Sequence, residues 1–241
     1  MNELLFFVQI VICFGTLLVL NRVFGKNGVF AYIALAVILA NIETACKVNM
    51  FGLPDNTVVL GTVTFASVFL ATDILNECYG YKESKKGAII GIVAAIFFIA
   101  MTQLDILYRP ASDSFMHNTF ATYFGVNGSF LWVTISSIMM FSISQLLDVF
   151  LFERIKRKTG NKWLWLRNNV ATIVSNCTEN FLFCIFGYYL FPMWFSGGVI
   201  MSIENALMIA LTTCVIELVV ALLDTPFLYL AKKWKYKEKI S

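Results

Sequence analysis

Seven apolar runs dominate this chain, each close to the roughly 20 residues a helix needs to cross about 30 Å of hydrocarbon. They fall at about 4–21, 29–48, 58–78, 87–106, 130–152, 170–191 and 204–230. Lipid offers no partner to backbone N–H and C=O groups, so such runs must be helical. Only 14% of the residues are charged and 59% are hydrophobic, where soluble domains carry about 25% charged residues. The expected fold is all-α, a polytopic bundle of seven transmembrane helices. The connections are too short to hold a soluble domain, 107–129 being the longest, so residues 1–241 are read as one integral membrane domain.

The positive-inside rule tests the helix count, because connections alternate sides. One side holds Arg22 and Lys26; Lys82, Lys85 and Lys86; Arg154, Lys156, Arg157, Lys158, Lys162 and Arg167; and Lys232, Lys233, Lys235, Lys237 and Lys239, together 16 of the 18 basic residues. The other side holds Arg109, and Lys47 falls inside a predicted span. Removing or adding a helix destroys this partition. The N-terminus is therefore expected outside and the C-terminus, with a basic tail over 231–241, in the cytoplasm. The first run is preceded by Glu3 and followed by its positive charges, the reverse of a signal peptide, and is read as a retained helix. The pair Trp163 and Trp165 beside Lys162 and Arg167 reads as an interfacial anchor.

Ionisable groups inside a bilayer are costly, and they mark functional sites. The second span carries Asn41, Glu43 and Lys47, the last two spaced to share a helix face and pair. Asp73 and Glu77 share a face of the third span. Ser144, Gln145 and Asp148 lie together on the fifth. Thr172, Asn176, Glu179 and Asn180 make a stripe on the sixth, and Thr213, Glu217 and Asp224 make one on the seventh. Stripes at similar depth on several helices predict a wet cavity, since none of them can face lipid. Asn, Ser and Thr also serve as glue between helices, and Glu77 and Asp224 lie near enough to the boundary to snorkel toward water.

Motifs of catalysis are missing. His117 is the only histidine, and neither GxSxG nor a Walker loop occurs. The six cysteines form no CxxC pair, so neither a metal site nor a cofactor is expected. An intramembrane enzyme using paired carboxylates, or a channel for a small solute, stays open beside a carrier.

The segment Ala71-Thr72-Asp73-Ile74-Leu75-Asn76-Glu77-Cys78-Tyr79-Gly80 resembles the hallmark segment of the YhhQ-type queuosine precursor transporters, a vitamin-uptake-transporter family. Asn41 at mid-second span, Ser144-Gln145-Leu146-Leu147-Asp148-Val149-Phe150, and Trp165-Leu166-Arg167-Asn168-Asn169 leading to Asn176 and Glu179 extend the likeness over about 30–230. Two positions depart from it, Glu179 where the family usually has Asp and Asn176 where it often has Gln. The resemblance implies six family-like spans over 29–230 with one extra N-terminal helix over 1–28. It implies import of 7-deazaguanine bases, queuine or queuosine precursors, across a bacterial plasma (inner) membrane for tRNA queuosine modification or salvage. The chain's partners would be this small molecule and the lipid bilayer, with no nucleic acid and the oligomeric state open. On this reading Asp73, Asp148 and Glu179 accept the donors of the base edge or its amine, and Asn41, Gln145 and Asn176 orient it. Glu77 and Arg167 gate the cytoplasmic side, and Glu43, Lys47 and Glu217 serve gating or coupling.

Overall fold

The computed structural model describes residues 1–44, 46–52, 58–111, 113–114, 117–124, 130–160, 162–195 and 197–234. Helix α1 (Asn2–Phe24) turns at Gly25 into α2 (Lys26–Glu43). Two short strands, β1 (Lys47–Val48) and β2 (Val58–Val59), pair antiparallel with Lys47 opposite Val59. Then come α3 (Thr62–Tyr79), α4 (Tyr81–Ile106), the short α5 (His117–Phe124), α6 (Phe130–Thr159) and α7 (Leu164–Ile185). A π-turn over Phe186–Leu190 leads into α8 (Phe191–Phe195), and α9 (Ile203–Lys233) completes the described chain. Seven of these helices have 18 residues or more, as the sequence predicts.

Six helical segments among the described residues are long and apolar enough to cross a membrane by themselves. The exception is α3. Its 18 residues, about 27 Å at 1.5 Å per residue, include Thr62, Thr64, Ser67, Thr72, Asp73, Asn76 and Glu77, yet 15 of them are buried. It packs against α1, α2, α4, α6 and α9. A helix shielded on all sides by other helices is not selected for lipid-facing residues, so its composition can be polar. Outer helices show the opposite pattern, as with Leu4, Leu5, Val11, Ile12 and Val19 exposed along α1. Helices of this length with apolar outer faces make the chain a multi-pass membrane protein.

Contacts bring the predicted basic connections to one end. Lys26 lies 3.6 Å from Glu83, Arg22 stacks 5.1 Å over Trp234, and Lys156 and Lys232 both reach Glu77. The turns α1–α2, α3–α4 and α6–α7 and the end of α9 therefore share this basic end.

Several predicted boundaries shift. The second span stops at Glu43, where Thr44 bonds back to Ala40 O through both its N–H and its hydroxyl. Lys47 lies in β1, so the predicted helical pairing with Glu43 is not formed. Lys47 instead sits 5.4 Å over the Tyr188 ring, and Glu43 accepts from Thr64 at 2.6 Å. The third span starts at Thr62 rather than 58, because Val58 and Val59 pair with β1. The sixth starts at Leu164, so Arg167 belongs to the first buried turn of α7 rather than to a solvated loop. Trp163 and Trp165 are exposed, as anchors require. The tail residues Lys235, Lys237 and Lys239, and 125–129 of the long connection, lie outside the described residues.

The π-turn has a local cause. Pro192 has no N–H to give Tyr188 O, and the Ile200 N–H fills that carbonyl at 3.0 Å. Such turns recur at functional sites, and this one lies where α7 approaches the mouth of the pocket described next.

Candidate functional site

Polar side chains from α3, α6, α7 and α9, with Thr44 just past the end of α2, converge at three depths. The outermost is a pocket whose empty space, counted to its open mouth, is about 550 Å³. It opens beside Thr44, Val59 and Thr62, at the end away from the basic turns. Glu179 of α7, Glu217 of α9 and Ser137 of α6 line it, with Phe65 and Phe69 of α3 and Phe183 of α7. Each carboxyl is held by a neighbour. Ser144 donates to Glu179, and Asn180 donates to Glu217 at 2.5 Å. Phe65 and Phe69 are further braced by Phe141, their ring centroids 5.5 and 6.4 Å from its own. The pocket thus combines acceptors for N–H donors with flat apolar walls.

One helical turn nearer the basic end lies a fully enclosed layer. Asp73, Asp148 and Asp224 are 1%, 0% and 1% exposed. The Thr172 hydroxyl stands within 3.5 Å of both Asp73 Oδ2 and Asp148 Oδ1. Ser175 lies 3.2 Å from Asp148 Oδ1, and Asn168 donates to Asp224 Oδ1 at 2.7 Å. Gln145 donates to Thr72 at 2.8 Å. Several acceptors here are buried with no partner, namely Asp73 Oδ1, Asp148 Oδ2, Asp224 Oδ2, Gln145 Oε1 and Asn176 Oδ1.

A charge cluster seals the third level. Glu77, its side chain 2% exposed, meets Arg167, Lys232 at 2.6 Å and Lys156 at 3.5 Å. Arg167 is fully buried and also donates to Gly160 O at 2.8 Å and Lys162 O at 3.3 Å. Lys156 adds a bond to Asn76 O at 2.6 Å. Four helices, α3, α6, α7 and α9, are tied together by one carboxylate.

The predicted residues are therefore sorted by depth. Glu179 and Glu217 line the pocket. Asp73, Gln145, Asp148 and Asn176 lie beneath it, out of its lining, and Glu77 and Arg167 meet at the basic end. Asn41 is buried but turns back on its own helix, donating to Val37 O at 2.8 Å, and does not line the pocket. Neither Glu77 nor Asp224 snorkels, since buried partners hold both. Sequence reasoning did not assign site roles to Ser137, Ser175 or Asn168, nor to the three phenylalanines. Asn168 could have been found, because it extends the Thr172–Asn176 stripe by one step of four. Phe65 and Phe69 carry no such signal in a chain with 23 phenylalanines.

Comparison with known proteins places the chain. Residues 59–231 match the family described as "Putative vitamin uptake transporter". A "Probable queuosine precursor transporter" of Bacillus subtilis is 33% identical over 227 residues, covering 92% of this chain and 91% of that protein. A second protein of that description, from Haemophilus influenzae, is 26% identical over 54% of the chain and 51% of its own length. The "Queuosine precursor transporter" of Escherichia coli is 24% identical over 55% of the chain and 56% of its own length. No solved structure matches. The family match runs from the start of α3 into the last turn of α9 and so contains all three polar levels apart from Thr44 and Lys232, and the chain belongs to the vitamin uptake transporter family.

Proposed function

We propose that this protein imports a queuosine precursor or queuine, a 7-deazaguanine base, across the bacterial inner membrane, and that the open pocket receives the base. The pocket carries this reading by joining two carboxyls and three phenyl rings. A guanine-like edge presents adjacent N–H donors, which Glu179 or Glu217 can accept in bidentate fashion. Its carbonyl oxygen needs a donor, and the Ser137 hydroxyl is placed in the lining. Phe65, Phe69 and Phe183 offer apolar faces for the planar ring. Burying those polar edges unmatched would cost about 1–3 kcal/mol each, so matching sets specificity.

The positive-inside rule puts the basic end in the cytoplasm, with the N-terminus outside. The pocket then faces outward, and the Glu77 cluster closes the inner side. Gln145, Asn176, Asp73 and Asp148 would meet the solute only as it passes inward, with Arg167 and Glu77 parting to release it.

Complementation tests the proposal. Bacteria lacking both queuosine synthesis and their own importer would express the chain, receive nanomolar queuine or a precursor base, and be assayed for queuosine in tRNA. Queuosine should appear only with the chain. Glu179→Gln, which replaces an acceptor oxygen by a donor, should lower uptake at least tenfold, as loss of about 1.4 kcal/mol or more implies. Full uptake by Glu179→Gln at normal membrane abundance removes Glu179 from the base site.

A further inference from the structure

The enclosed layer under the pocket has a feature that a base-binding pocket does not explain. Asp73 and Asp148 face each other, share the Thr172 hydroxyl, and each keeps one oxygen that no donor reaches. Among the described residues no cation faces them. The nearby cations Arg167, Lys156 and Lys232 all gather at Glu77, one turn nearer the basic end. Of the other acids on the packed helices, Asp224 lies in the same layer, held by Asn168, and adds negative charge beside both, while Glu179 is held by Ser144, Glu217 by Asn180 and Glu43 by Thr64. Gln145, fully buried and held by Thr72 beside Asp73, is not acidic, yet it too leaves its Oε1 without a donor.

Buried carboxylates without compensation are too costly to persist in a membrane interior. Positive charge must come from solution. The available ligands are all oxygens, the set preferred by a hard cation. Two facing carboxyls with two hydroxyls, and no cluster of three ligating His, Cys, Asp or Glu among the described residues, are matched by a single positive charge.

We infer that Asp73, Asp148, Thr172 and Ser175, with Gln145 beside them, form a site for one small monovalent cation, a proton or a sodium ion, that is coupled to solute passage. Coupling follows from the seam between α6 and α7. Ser144 and Glu179 bond across it at the pocket floor. Asp148 and Ser175 meet across it one turn nearer the basic end, each four residues from that rung. Solute at Glu179 and a cation at Asp148 therefore load adjacent rungs of one seam, and a shift of α6 against α7 is felt at both. This inference rests on the transporter reading and not on which solute is carried.

The test begins without any solute. The purified full chain in lipid nanodiscs is heated in matched sodium, potassium and choline chloride and across pH 5–8, with tryptophan fluorescence reporting unfolding. A saturating cation should raise the midpoint by about 5–10 °C. Asp148→Asn and Asp73→Asn should each abolish the response to that cation. A sodium-specific shift names sodium, and a pH-dependent shift that both variants remove names the proton. If the asparagine variants do not fold, Thr172→Val replaces them. A wild-type midpoint indifferent to both cations overturns the site, as does a response kept by the variants.

Proteoliposomes then test coupling. A tenfold inward gradient of the cation should let the base accumulate up to about tenfold at one-to-one coupling. Equal uptake with and without the gradient overturns coupling. Absent uptake beside an intact cation response refutes the proposed base and leaves the site standing.

Discussion

Replacing Glu77 by glutamine should destabilise the protein more than replacing its closest buried partner. Arg167 is 0% exposed, whereas Lys232 and Lys156 are 41% and 24% exposed. Once Glu77 is neutral, both lysines can turn to water, but the guanidinium cannot. Arg167 keeps the Gly160 and Lys162 carbonyls and the Phe152 ring 5.5 Å away, and its Nε already lacks a partner. Stranding one member of a buried ion pair costs about 3–5 kcal/mol. A glutamine oxygen still accepts one bond, which favours the low end, about 3 kcal/mol. Arg167→Met is different, because Glu77 retains Lys232 at 2.6 Å and Lys156 at 3.5 Å. Its cost is about 1 kcal/mol, that of the hydrogen bonds removed.

At about 2–4 °C per kcal/mol for a chain of this size, Glu77→Gln should lower the unfolding midpoint by about 6–12 °C and Arg167→Met by about 2–4 °C. The decisive variant is the double one. Removing the stranded guanidinium as well should recover stability, so Glu77→Gln/Arg167→Met should unfold above Glu77→Gln alone. Thermal unfolding of the purified variants in one detergent measures all three. Additive losses in the double variant would refute the argument, because they would mean Arg167 is not the charge left uncompensated.

Three further outcomes follow from single contacts. Asp148→Ala should abolish uptake at normal membrane abundance, and retained uptake would remove Asp148 from the transport path. Gly28→Ala should cost about 1–3 kcal/mol in the same melt, because its Cβ would stand 2.3 Å from Leu20 O and backbone cannot yield as a side chain can. Asn168→Ala should cost about 1–3 kcal/mol, since Asp224 is 1% exposed and its Oδ2 has no partner already. An unchanged midpoint would mean Asp224 gains another donor.

The helix count was readable in the sequence because two independent patterns, apolar length and the alternation of basic turns, had to agree. The polar stripes were readable for a similar reason. Thr172, Asn176 and Glu179 recur at helical spacing inside an otherwise apolar run. Depth was not readable, since spacing along one helix does not say which rung of another helix it meets. Asp148 and Glu179 therefore looked like equivalent acceptors, whereas the structure sets them one turn apart, with only Glu179 in the pocket. Glu43 and Lys47 failed as a pair because apolar content alone does not reveal that the helix ends at Thr44. Lys156 and Lys232 could be counted as topology signals but not recognised as partners of Glu77, since their long side chains can point either to water or inward.

The polarity of α3 gives the three levels their order. Along about 20 Å of its axis, Thr64 accepts from Gln9 of α1 and donates to Glu43 of α2 near the pocket end. Thr72 and Asp73 meet α6 and α7 in the middle, and Glu77 collects α6, α7 and α9 at the basic end. Helices α6, α7 and α9 are joined to α3 most strongly at that end, by charges. Near the mouth, Glu179 and Glu217 are satisfied by Ser144 and Asn180 without bonding to α3. Closing the mouth therefore requires contacts that α3 does not make in this state, and opening the basic end requires breaking those it does. A carrier built this way can exchange one set for the other by moving α6, α7 and α9 against α3, with α6 and α7 also shifting along their shared seam.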